Sequence, residues 1–163
     1  MIQNFQAAVF WALQQWCRKN HRWPENILYY RDGVSESQYE ELQRDEVSLI
    51  QAAWDDLAEI ATNKPASNLK LTTVIATKRH STRFFPTRRE NAMQNNENCK
   101  PGTLVDSVVT NPYFSDFFLQ SHNAIKGTAR PCHYFVLNNG MGISMSALED
   151  LVSLKQLYCK SRS

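Results

Sequence analysis

The chain has 163 residues, 42% of them apolar and 21% charged, with a net charge of +2. That is enough chain for one ordinary domain with a real core, and its composition is that of a soluble globular protein. No apolar run approaches bilayer length, and a charge of +2 requires any nucleic-acid site to come from local clustering. Four scattered cysteines, Cys17, Cys99, Cys132 and Cys159, lack C-x-x-C spacing. They suggest neither a zinc site nor a disulfide framework, and a reducing intracellular compartment is the default.

Ile2, Phe5, Val9, Ala12, Leu13 and Trp16 recur at helical spacing, which predicts an amphipathic first helix. Arg18 and Lys19 suit its last turn. Trp23-Pro24 ends any helix. Ile27 to Tyr30 is a short apolar run, read as a strand buried on both faces. Arg31-Asp32-Gly33 stops it, which sets Asp32 at a strand's carboxyl end before a helix. In open α/β sheets ligands bind there, and a carboxylate can hold a hard divalent cation. Asp-Gly is equally ordinary turn chemistry.

Ser35 and Gln38 form a capping box for a helix with Leu42, Leu49, Ile50, Ala53, Leu57 and Ile60 inside. Glu46 is expected at that helix's edge, since unpaired buried carboxylates are rare. Leu69 to Ala76 is a second buried strand. It runs into the densest basic stretch, Lys78, Arg79, Arg83, Arg88 and Arg89, joined by His80 and Phe84-Phe85. Cations beside aromatics suit a nucleic-acid backbone, or a strand edge protected by solvated charge. The polar segment 86–102 has almost nothing to bury and reads as a mobile surface loop. Strands are expected over Leu104–Thr110, Phe114–Gln120 and Tyr134–Leu137. A final helix starts at Ser146, with Glu149 at its N3 position and Leu148, Leu151, Val152, Leu154 and Leu157 as its stripe. His122, Lys126 and Arg130 surround Gly127-Thr128, which fits a phosphate loop or a plain polar turn. The order of elements gives an α/β fold, a mixed sheet with flanking helices.

Four ordered segments narrow this. YYRDGVSESQ (29–38), KRHSTRFFP (78–86), PGTLVDSVVT (101–110) and FFLQSHNAIKGTARPCHYFVL (117–137) resemble the Argonaute/Piwi family. The resemblance implies a partial ribonuclease H-like fold. The whole chain, 1–163, would be a partial Piwi domain truncated at both ends. It also implies that Lys78, His122 and Arg130 contact guide-strand phosphates, with Lys160 after Tyr158 as a shorter match; Arg79 and Arg83 of the basic stretch are candidates beside them. Ser37, Ala124 and Asn111 depart from the usual family residues without removing a charge from that set.

Active family members cut RNA with an acidic tetrad and two divalent metals, Mg2+ or Mn2+. Asp32 matches one of the four ligands; the others are expected to lie outside this chain. His133 belongs to an R-P-x-H-Y motif and is read as a strand residue, not a tetrad member. The chain alone is therefore expected to be inactive and to hold no metal. A guide RNA and a target RNA would be its partners in a full-length context, in the cytoplasm or the nucleus, with no membrane. A fragment, a truncated gene model and a degenerate paralogue all fit this reading. A remnant or interaction fragment without a nucleic-acid role is the alternative. Oligomeric state is not legible.

Overall fold

A computed structural model describes residues 4–65, 67–94, 96–122, 124 and 127–160, with side chains through Leu154. Helix α1 spans Phe5–Asn20, β1 Asn26–Asp32, α2 Tyr39–Leu42, α3 Ser48–Ile60 and β2 Lys70–Thr77. Strands β3 (Thr103–Val105), β4 (Asp116–Gln120) and β5 (Cys132–Asn139) follow, and α4 spans Met145–Lys160. The five strands form one sheet in the order β1-β2-β5-β4-β3. Lys70 N–H bonds to Glu25 O at 3.4 Å and Gly33 N–H to Ala76 O at 3.2 Å, so β1 and β2 climb in parallel. Gly140 N–H bonds to Leu71 O at 2.9 Å, and Arg130, just before β5, reaches the carbonyl of Lys78, just after β2, so β2 and β5 run antiparallel. β4 is antiparallel to both β3 and β5. The mixed sheet agrees with the α/β expectation.

The chain divides into two compact units. The first comprises Met1–Tyr29, Val34–Thr73 and Leu137–Met141. Here α1 lies on α3 through Leu13, Ala53, Trp54 and Leu57. Trp23 meets Trp54 edge-on at 4.9 Å, and its indole N–H donates to Asn63 O at 2.6 Å. Gln38 Oε1 accepts from the Ser35 N–H and hydroxyl, as the capping box predicts. Gly140 N–H approaches Leu71 so closely that a Cβ would sit 2.5 Å from the Leu71 carbonyl oxygen, and only glycine fits.

Four expectations change. Between α2 and α3 the helix widens into a π turn over Gln43–Val47. The wide turn brings Leu42 and Val47, five residues apart, onto the buried face and takes Glu46 with them. Glu46 is 4% exposed, and Tyr29 Oη donates to its Oε2 at 2.6 Å. It is a buried acceptor, not an edge residue, because the tyrosine hydroxyl reaches it. Ile60 is 68% exposed instead of completing the stripe. β1 is half-buried at one edge of the sheet, not buried on both faces.

The second unit comprises Tyr30–Gly33, Val74–Val136 and Gly142–Ser163. The expected strand Leu104–Thr110 ends at Val105. Beyond it Val109 N–H turns back to Ser107 O, and Val108 adopts φ +69. That turn overrides the extended preference of a Val-Val-Thr run. The last helix is capped by Ser144, whose Oγ accepts from Ala147 N–H, and begins at Met145. Glu149 is therefore past the first turn. It is buried with Oε1 unpartnered, and burial, then Asp106 and Asp150, pushes its carboxyl upward. Leu148 and Val152 face inward, whereas Leu151 and Leu154 are exposed. Leu157 lies outside the described side chains.

Candidate nucleic-acid interface

Within the second unit, topology gathers four strand ends. β1 ends at Asp32 and β2 at Thr77, just before Lys78. β5 begins at Cys132, just after Arg130-Pro131. Leu119 of β4 is opposite Cys132, so Ser121 and His122 leave the sheet where Arg130 enters it. The carboxyl ends of β1, β2 and β4 and the amino end of β5 thus share one margin. Gly33 turns the chain away from Asp32 at φ +78, a conformation that favours glycine.

Lys78 is exposed, and its carbonyl oxygen accepts from Arg130 Nη1 at 3.5 Å. Burial pushes the Cys132 thiol above its ordinary value; the Lys78 charge opposes the rise and the Asp32 charge adds to it. Arg79 is exposed, and its backbone N–H bonds to Thr77 Oγ1 at 3.2 Å. Arg83 is half-buried, with Nη1 committed to the Thr82 and His80 carbonyls at 2.7 and 3.2 Å. The His122 carbonyl is held by Gln120 Nε2 at 2.5 Å, and its Nδ1 lies 3.4 Å from Ser121 Oγ. The side chain of Lys160 and all of Lys126 lie outside the described residues. Lys78 and Arg130 are thus in direct contact, His122 is at the same margin, and Arg83 turns toward its own strap.

His80 locks the strap after β2. Its Nε2 lies 3.1 Å from Pro131 O. A carbonyl can only accept, so Nε2 carries the proton. Nδ1 is then a bare acceptor, buried without a partner. The ring stands edge-on to Phe118 at 5.4 Å, as does Phe84, while Phe85 is exposed. Burial lowers the His80 pKa from its ordinary value; the Pro131 bond opposes this, and His133, Arg83 and Arg130 add to the lowering. The unfolded chain therefore takes up this proton first as pH falls. The stability His80 confers is full above about pH 6.5 and is lost as pH falls toward its lowered folded value. Between pH 7.5 and 5.0 the parent's urea midpoint is expected to fall more steeply than that of His80→Phe, which keeps a ring against Phe118. Equal falls would assign the loss to other groups.

His133 is a β5 residue, as its motif suggested. It stacks on Phe118 at 4.3 Å, and its Nε2 meets Asp116 Oδ2 at 2.6 Å. Asp116 Oδ1 also accepts from Asn111 N–H at 2.8 Å. Sequence reasoning passed over Asp116, although a lone acid opening an apolar strand signals a buried partner. It passed over Asn98 as well. Asn98 is 3% exposed inside the segment expected to bury almost nothing, and it bonds to Gly127 and Ala129.

The same geometry tests a metal. Two-metal cleavage needs several oxygen donors around cations about 3.5–4 Å apart. Among the described residues no three His, Cys, Asp or Glu side chains converge to hold an ion. Asp32, exposed at its strand end, is a single carboxylate. These residues do not fit a two-metal centre.

Comparison with known proteins agrees with the fold and its motifs. The Piwi domain family model matches residues 1–161. Argonaute 18 of Oryza sativa subsp. japonica is 35% identical over 155 residues, 94% of this chain and 14% of that protein. Argonaute-2 of Drosophila melanogaster is 37% identical over 129 residues, 79% of this chain and 10% of that protein. The C-terminal lobe of a budding yeast Argonaute superposes with a TM-score of 0.81 at 31% identity, covering 91% of this chain and 31% of that one. Kluyveromyces polysporus Argonaute with a guide RNA gives 0.78 at 29% identity, covering 93% and 19%. The chain thus spans a small part of each relative, and its mixed sheet is the ribonuclease H-like sheet of the Argonaute lobes. With the family model matched over nearly its full length, the chain belongs to the Piwi domain family.

Proposed function

We propose that this chain binds the phosphate backbone of a guide RNA strand as the Piwi portion of an RNA-silencing protein. Lys78, His122 and Arg130 carry the binding, with Arg79 beside them. The observation that carries this reading is the Arg130–Lys78 contact, 3.5 Å between segments 52 residues apart. Two cations at one sheet margin suit successive phosphates, which repel each other unless neutralised. One structural relative is an Argonaute with a guide RNA, which supports the choice of ligand. Target RNA would enter by pairing with that guide. Phosphate contacts hold a strand without reading its sequence. Single-stranded RNAs of equal length and different sequence should therefore bind within about threefold of one another, as read by fluorescence anisotropy. A strong base preference would point to base contacts instead.

Piwi nucleases use divalent metal, which supplies Lewis acidity and an activated water in a complete domain. Asp32 would contribute one oxygen donor there. The 163-residue chain alone is expected to show no guide-dependent cleavage with magnesium or manganese. Cleavage abolished by Asp32→Ala would contradict this and reveal further ligands.

A further inference from the structure

Given the phosphate role proposed for Arg130, we propose that Asn98 is a positioning residue that holds the loop presenting it. The Asn98 side chain bridges the backbone on either side of Thr128. Nδ2 donates to Gly127 O at 2.9 Å, and Oδ1 accepts from Ala129 N–H at 2.9 Å. Its amide orientation is fixed, because the Gly127 carbonyl can only accept and the Ala129 N–H can only donate. Gly127 sits at φ +71, so the turn being held is one glycine favours. Arg130 is the next residue after the clamped Ala129.

Asn98 is itself anchored. Its carbonyl accepts from Met93 N–H at 2.8 Å, next to an antiparallel bridge between Ala92 and Cys99. Asn96 reinforces the clamp, donating from Nδ2 to Ala124 O at 2.7 Å. The polar segment before β3 thus forms a brace against the loop between β4 and β5. Both residues lie outside the basic set, and neither contributes charge.

A double-mutant cycle tests the clamp, because independent sites add and coupled sites do not. The readout is the slope of log affinity against log salt for a labelled single-stranded RNA. In the parent, Arg130→Ala is expected to flatten that slope by about 0.7, one phosphate contact. In an Asn98→Ala background the same change should have less than half that effect, because Arg130 is no longer held in place. Equal effects in the two backgrounds would overturn the clamp while leaving the phosphate reading intact. No effect of Arg130→Ala in the parent would overturn the phosphate reading, and the clamp with it. A purely structural Asn98 would lower thermal stability without changing the coupling. If Asn98→Ala does not fold, the same cycle is run with Asn96→Ala, which removes the bonds to Ala124 O and from Asn98 N–H; a reduced Arg130→Ala effect there supports the brace, and an undiminished one overturns it.

Discussion

Replacing Lys78 and Arg130 together by alanine is expected to flatten the salt dependence of RNA affinity by about 1.4, twice the single-strand value of about 0.7 per contact. The effect is large because two cations at the sheet margin are lost together; the Arg130 guanidinium reaches the Lys78 main-chain carbonyl there. At low salt the loss of affinity should be greatest; near 0.5 M salt it should shrink as screening shortens the reach of every charge. Arg88 and Arg89 are equally basic, but Arg88 precedes and Arg89 opens a short 3-10 turn in the polar segment after Pro86. Arg88 lies 3.5 Å from Glu90, which further offsets its charge. Their double replacement should move the slope less. If the Arg88–Arg89 pair moves it more, the cation set belongs elsewhere in the basic stretch.

The largest effect on stability is expected from Asp116→Ala. Buried Asp116 meets the part-buried His133 at 2.6 Å and also receives Asn111 N–H. Removing the carboxylate leaves a part-buried imidazole and a backbone donor without this partner together. Leaving a buried hydrogen-bond partner unsatisfied costs about 1–3 kcal/mol, a large share of a small domain's total stability. Asp116→Asn keeps a side-chain oxygen and should cost less. Urea unfolding followed by far-ultraviolet circular dichroism measures both. A midpoint within error of the parent for Asp116→Ala would mean that water replaces the pair. Stacking links the pair to the strap after Lys78. His133 lies against Phe118, Phe118 meets His80, and His80 ties the strap after Lys78 to Pro131.

Much of this was legible in the residues. Apolar spacing from Phe5 to Trp16 gave the first helix because one face packs on α3. Asp32-Gly33 gave the strand end because the turn needs the left-handed conformation glycine supplies. Other features were hidden by their partners. No periodicity announces an inserted residue, so the π turn and the burial of Glu46 emerge only with Tyr29 above it. Val108-Val109-Thr110 reads as strand by propensity, and the Ser107 turn overrides it. Tyr29 and Tyr30 read as fully buried, yet a strand at the sheet edge covers them by half. Asn98 sits among asparagines whose local chemistry says turn. Its role depends on Gly127 and Ala129, about thirty residues away, and no local pattern carries that pairing.

One sheet margin, formed by the ends of β2, β4 and β5, is proposed to receive a phosphate backbone. The most direct test is an amide-resonance titration of the chain with a short single-stranded RNA, repeated with a strand of the same sequence carrying uncharged backbone linkages. The predicted result is that the charged strand shifts Lys78, Arg79, Ser121, His122 and Arg130, and that the uncharged strand leaves them in place. Shifts of the same residues by both strands, or shifts confined to Arg88 and Arg89, would contradict it.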